Sequence, residues 1–339
     1  MREVLDDLLA GTDLSVEEAE ALVHQLTGGE IDPAAAGALL VALRAKGETP
    51  EEVQGFARAM RSLATDPLID VTGAVDVVGT GGDRSGSLNL STGSAILAAA
   101  AGVPVVKHGN RSMTSASGSA DVLEQLGLPM PLHEDQARRL FEMTGFTFLF
   151  APHYHPAMAA VGPVRRALGV RTVFNILGPL TNPAAPAHLV IGAFDPDVAR
   201  LMASALAGLD IERAFVIHGA GGWDEPSPLG DFLFLDVRPG EVDEAVRSPT
   251  DLGIPGCRPE DLAGGSPSHN ARRLIDVFEG ERSAHRNAVV LGAGLALEVA
   301  GLAATAADAV EAAAAAIDDG RAAALAKSLA EFGAGEAKK

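Results

Sequence analysis

Glycine, serine, asparagine and basic residues crowd into two short stretches of this chain. The first is Gly79-Thr80-Gly81-Gly82-Asp83, followed by the polar turn 84–87, with Ser87 at its end, and by Asn89-Leu90-Ser91-Thr92. The second is Lys107-His108-Gly109-Asn110-Arg111-Ser112, which continues through Met113, Thr114 and Ser115 to Ser119. Glycines let backbone amides approach an anion closely, and a helix start beside them adds partial positive charge. Lys107 and Arg111 add full charges, so the chemistry indicated is binding of a phosphate or diphosphate. Neither common nucleotide pattern is present. No lysine follows the glycines as in a P-loop, and Arg84 stands where a dinucleotide fingerprint needs its third glycine. On the residues alone, a plain structural turn at 79–83 and a solvated serine-rich loop at 112–119 stay open.

A second constellation is the adjacent pair Asp224-Glu225, after the glycine-rich run 219–222 and Trp223. Paired carboxylates at a strand's carboxyl end suit Mg²⁺, a hard cation that takes oxygen ligands and substrate phosphates. In so acidic a chain they could equally be two solvated acids. Trp223 stands where a smaller aliphatic residue is expected, which leaves the packing of that loop in question. Arg165 and Arg166 are neighbours on a helical stretch. A planar guanidinium there could pair with a substrate carboxylate, or either could be a surface charge. Arg171 is a further candidate for cleft electrostatics. His153 and His155 do not form a zinc-ligand pattern with any His-Glu-x-x-His motif, and no Ser-His-Asp or Cys-His arrangement is visible.

The elements that must position these residues follow from apolar periodicity. Residues 75–78 read as a short buried strand, 95–101 as a helical run and 103–106 as a second strand that delivers Lys107 at its end. This strand–loop–helix–strand unit puts both polar loops at the carboxyl ends of parallel strands, where open α/β sheets bind ligands. Residues 1–65 read as three short helices. Ser15 with Glu18 and Thr49 with Glu52 are capping boxes, and Asp32-Pro33 starts the helix between them. Their apolar faces must pack on the rest of the chain or on another subunit. Further on, 121–126 and 134–143 read as helices and 146–150 as a strand. Segment 151–183 reads as an irregular, proline- and glycine-rich path. Strands are expected at 189–194, 214–218 and 232–237, with a helix at 198–209, and the chain is helical from Asn270 to a frayed tail at 335–339.

Composition sets the bounds. The 339 residues, 47% hydrophobic, can bury a sizeable core. A net charge of −19 disfavours partnership with nucleic acid or an anionic membrane surface, so the few basic residues among glycines read as local anion sites. The single cysteine, Cys257, excludes an internal disulfide and a multi-cysteine metal cluster. With no long apolar run and no signal-peptide pattern at its start, the chain is expected to be soluble and cytoplasmic.

The runs Gly79–Asp83, Asn89–Thr92 and Lys107–Ser112 resemble the signature loops of the anthranilate phosphoribosyltransferase family, within the nucleoside-phosphorylase-like phosphoribosyltransferases. The resemblance implies an α/β fold: a small N-terminal helical domain over 1–70, with part of 155–185 packed on it, and a larger domain over 71–339 with a mainly parallel central sheet. It implies transfer of a phosphoribosyl group from 5-phospho-α-D-ribosyl 1-diphosphate to anthranilate, in tryptophan biosynthesis, with Mg²⁺ as cofactor. It assigns the diphosphate sugar to Gly79, Gly82, Asp83, Ser87, Asn89, Leu90, Ser91, Thr92, the run 107–115 and Ser119. Anthranilate goes to Gly79, His108, Asn110 and Arg165, the metal to Ser91, Asp224 and Glu225, and catalysis to Lys107, Asp83 and Arg165. It further implies a homodimer formed through the helical domain. Pyrimidine-nucleoside phosphorylases share this fold but use inorganic phosphate and need no paired-acid metal site.

Overall fold

The computed structural model describes residues 2–29, 31–112 and 116–338. The chain begins with four helices, α1 (Arg2–Leu9), α2 (Val16–Thr27), α3 (Pro33–Lys46) and α4 (Pro50–Ser62). Sequence reading expects three there; the additional one is the first. Both capping boxes form, Ser15 with Glu18 and Thr49 with Glu52, and the Asp32 side chain accepts from the Ala34 amide ahead of Pro33. Glu52 is fully buried, where it accepts from the Leu14 amide (2.9 Å) and Lys46 (3.0 Å) and so ties these helices together.

A seven-stranded sheet follows, in the order β3-β2-β1-β4-β5-β6-β7 among the described residues. Its strands are β1 (Val75–Gly79), β2 (Val105–Gly109), β3 (Phe146–Phe150), β4 (His188–Gly192), β5 (Arg213–His218), β6 (Phe232–Arg238) and β7 (Glu241–Arg247). The first five run parallel, and β6 and β7 return antiparallel. β1 to β4 are continuous buried runs, as sheets covered on both faces require. β2 begins two residues later than expected and includes Lys107 and His108, whose side chains are buried by their neighbours in space. Sequence periodicity does not signal β7, because a mostly exposed polar edge strand carries no apolar alternation.

Helices cover both faces. One face carries α5 (Leu90–Ala101), α6 (Ser119–Gln125), α7 (Glu134–Thr144), α11 (Pro267–Phe278), α12 (Ala284–Val299), α13 (Ala306–Asp318) and α14 (Arg321–Glu336), with α12 buried along nearly its whole length against α5 and α13. The frayed tail is corrected in part. Gly335 and Glu336 belong to α14, and Glu336 accepts from Gln136 (3.1 Å) and Arg139 (2.8 Å). The other face carries α10 (Pro196–Ala207) and the N-terminal helices, which share one apolar core with Leu189, Ile191 and Val216. Segment 151–183 is more regular than expected. It holds α8 (Ala151–Tyr154), α9 (Met158–Leu168) and two 3-10 turns, and α9 packs on α2 and α3. The helix expected at Arg165 and Arg166 is α9, whose extent back to Met158 is masked in the sequence by Gly162 and Pro163.

Candidate active site

The strand order reverses between β1 and β4, since β2 and β3 lie to one side and β5 to the other. A cleft of about 500 Å³ opens at the carboxyl ends of the strands beside that reversal, the expected ligand position for an open parallel sheet. Its walls are the loop after β1, the start of α5, the loop after β2 and the acid pair after β5.

The acid pair is seated by absent side chains. A Cβ on Gly79 would lie 2.5 Å from Asp224 Oδ2, one on Gly192 would overlap the Asp224 backbone carbonyl, and one on Gly219 would overlap that of Glu225. Three strand ends thus leave room for one loop. Trp223 is 7% exposed and packs into the core, which answers the question its size raised. Asp224 Oδ2 accepts from the Gly81 amide, in a loop where Gly81 and Gly82 both take the left-handed backbone that glycine tolerates. Glu225 Oε1 accepts from the Ser91 amide (3.1 Å) at the start of α5. Asp83 Oδ2 accepts from the Asp224 amide at 3.4 Å. Burial raises the Asp224 carboxyl well above the usual range, and the charges of Glu225 and Asp83 push it further. Burial likewise lifts Glu225 to about 7, against the opposing pull of Lys107. Crowded oxygen donors with elevated pKa values are the set a hard divalent cation would stabilise, so these residues fit Mg²⁺.

The expected cations are less free than their number suggests. Lys107 is 1% exposed, and its ammonium donates to the Val77 carbonyl beneath the cleft. Burial lowers its pKa, while Asp76, Glu225 and Asp224 pull the other way. Arg111 pairs with Asp121 (2.8 Å) and Glu124 (2.5 Å) on α6. The guanidinium of Arg171 lies 3.7 Å from the Phe194 ring centroid and donates to the Gly82 carbonyl at 2.7 Å, bracing the glycine loop.

Below the cleft floor, Asp76 is fully buried. It accepts from the His108 amide (3.1 Å) and from Asn182 (2.9 Å), whose amide also reaches the Val106 carbonyl (2.8 Å). An acid inside an otherwise apolar strand is the one signal of this brace that the sequence carries. His108 Nδ1 lies 3.1 Å from the Gly178 carbonyl, so Nδ1 carries the proton and Nε2 is left as an acceptor. Burial holds His108 near a pKa of about 3 and His155 near about 4, so both are neutral at physiological pH. Their rings meet edge to face with centroids 5.1 Å apart, a pairing across 47 residues that no local pattern signals.

The cleft brings together Gly79, Gly82, Asp83, Ser87, Asn89, Ser91, the run 107–112, Ser119, Asp224 and Glu225. Leu90 and Thr92 are buried in the first turn of α5 and do not line it. Arg165 lies on α9, with its guanidinium 5.5 Å from the Phe174 ring centroid, and it also stands apart from the lining. Met113, Thr114 and Ser115 lie outside the described residues.

Two family models match, a glycosyl transferase family α/β domain over residues 71–323 and the helical bundle domain of the same family over 2–64. The anthranilate phosphoribosyltransferase of Desulforudis audaxviator is 48% identical over 332 residues, covering 98% of this chain and 96% of that protein. The chain belongs to the anthranilate phosphoribosyltransferase family. A second family member, from Methanosarcina acetivorans, is 46% identical over 95% of this chain and 86% of its own length. Among solved anthranilate phosphoribosyltransferases, that of Thermus thermophilus superposes with a TM-score of 0.92 at 40% identity, over 97% of this chain and 99% of the other. The Saccharomyces cerevisiae anthranilate phosphoribosyltransferase, solved with PRPP and Mg, shares the fold with a TM-score of 0.88 at 24% identity, over 98% of each chain.

Proposed function

We propose that this cleft transfers the 5-phosphoribosyl group of 5-phospho-α-D-ribosyl 1-diphosphate to the amino group of anthranilate and releases diphosphate, a step of tryptophan biosynthesis. The observation that carries the reading is the seating of Asp224 and Glu225 against Gly79, Gly192 and Gly219, facing the glycine loop and the start of α5. The sugar diphosphate brings roughly four to five negative charges. Asp83, Asp224 and Glu225 already face the cleft, and Arg111 is neutralised by its own acids. Asp224, Glu225 and Ser91 would hold Mg²⁺, which when bound supplies the positive charge that lets diphosphate be held and depart.

The chain's own residues do the remainder. Amides of the glycine loop, with Ser87, Asn89 and Ser119, hold the phosphate ends by hydrogen bonds, and Asp83 sets the loop's path. Lys107 raises the potential from beneath as charge grows on the leaving group. Neutral His108, with Asn110 and Gly79, shapes the anthranilate side of the cleft. Arg165, on α9 outside the cleft lining, is the candidate partner of the anthranilate carboxylate that the family resemblance supports. Burial lowers its pKa, and it has no carboxylate partner among the described residues, which leaves a desolvated cation suited to an incoming one. An arylamine is neutral at pH 7, so orientation and departure of diphosphate supply the rate without a strong base.

We also propose a homodimer through the helical layer. An apolar groove of about 650 Å³ between α3 and α9, lined by Gly37, Val41, Pro163 and Leu168 among others, is of the kind a second copy would cover. The reading carries a cytoplasmic location with it; no helix among the described residues is long and apolar enough to cross a membrane. Mixing the purified chain with anthranilate, the sugar diphosphate and Mg²⁺ should give steady loss of anthranilate fluorescence. No turnover across neutral pH would refute the reading.

A further inference from the structure

Away from the cleft lining, His133, Glu134 and His153 form a group of metal-capable side chains whose donor atoms all lie within 4.8 Å of one another. We propose that they form a second cation site, for a borderline transition-metal ion such as Zn²⁺, that ties the start of α7 to α8. His153 Nε2 is 3.2 Å from Glu134 Oε1, and the rings of His133 and His153 stand edge to face with centroids 4.9 Å apart. Tetrahedral zinc with bonds of about 2.0–2.1 Å needs donors about 3.3 Å apart. One pair already has that spacing. The third donor, His133, is on an exposed residue that can turn without disturbing the core.

The backbone is prepared for this arrangement. Tyr154, fully buried, donates its hydroxyl to the Leu132 carbonyl (3.2 Å), and the His133 amide donates to Gln136 Oε1 (3.1 Å). The residues next to two of the donors are therefore fastened to each other, which fixes α8 against the start of α7 and lowers the ordering cost of binding. Two imidazoles and one carboxylate select zinc, cobalt, nickel or copper, whereas Mg²⁺ prefers the all-oxygen set at Asp224 and Glu225. Three protein donors leave a fourth position for water. Of the three donors, His153 follows β3 and lies two residues before His155, so a bound ion would stiffen the segment that sets His155 against His108.

The test is calorimetric titration of tag-free protein with zinc chloride in excess Mg²⁺, alongside a thermal melt. One saturable site per chain in the micromolar range, with a melting midpoint that rises with zinc, is the expected result. His133→Asn, which keeps a favourable helix cap, and Glu134→Gln should each weaken binding roughly tenfold or more. Asp224→Asn should leave zinc binding unchanged, which separates this site from the catalytic one. Absence of saturable binding, or wild-type affinity in His133→Asn, would show that the three side chains are only a surface ion pair with a neighbouring ring.

Discussion

Asp224 sits where the ends of β1 and β4 and the glycine loop meet, against Gly79, Gly81, Asp83 and Gly192. Asp224→Asn keeps the shape but removes a charged oxygen from the proposed metal position. It is expected to abolish the Mg²⁺-dependent part of sugar-diphosphate binding in a calorimetric titration and to lower kcat roughly hundredfold or more. His155 offers a prediction of a different kind. Its folded pKa of about 4 lies below the ordinary 6.5, so the folded state binds fewer protons between those values. The stabilising contribution is therefore complete above pH 6.5 and is lost as pH falls toward 4. The advantage of wild type over His155→Gln in urea unfolding should shrink by about 3 kcal/mol across that interval. Asp224 and Glu225 were legible in the sequence because adjacent acids after a glycine run are a local pattern. His155 was not, because its encounter with His108 is made by the fold.

Elements place these residues by what they leave out. Gly79→Ala adds one methyl group where Asp224 Oδ2 now sits, and the backbone at this position permits alanine. Folding should survive, while the displaced carboxylate lowers kcat/KM for the sugar diphosphate by up to roughly hundredfold, measured by steady-state kinetics. Arg171 braces the same loop from the other side through Gly82 and Phe194. Arg171→Met should raise KM for the sugar diphosphate and cost about 2 kcal/mol of stability in chemical denaturation. Helix starts were the most readable elements, because Ser15 with Glu18 and Thr49 with Glu52 satisfy their own amides within four residues. The limits of β2 were less readable. Lys107 and His108 look like loop residues until Val77 and Asp76 supply partners from elsewhere in the chain.

The whole molecule has one sheet between two cores, and the N-terminal helices belong to the second of them along with α10 and strands β4 and β5. Removing residues 2–64 would therefore bare Leu189, Ile191 and Met202, and the shortened chain is expected to aggregate on expression, as light scattering would report. Val41, 43% exposed on α3, borders the groove proposed as the contact between copies. Val41→Asp should convert a dimer to a monomer in sedimentation velocity while leaving the fold intact. Two layers of helix around a parallel sheet could be inferred from alternating patterns, whereas the shared core could not, because it depends on which sheet face the first helices choose. The narrow passage at Gly192 has a last implication. What borders that glycine is main chain, which cannot swing aside as a side chain can. Gradual adjustment by ever larger residues is closed at this position, so residue 192 stays glycine for as long as the main chain at 224 keeps its path, whatever becomes of the carboxylates it carries.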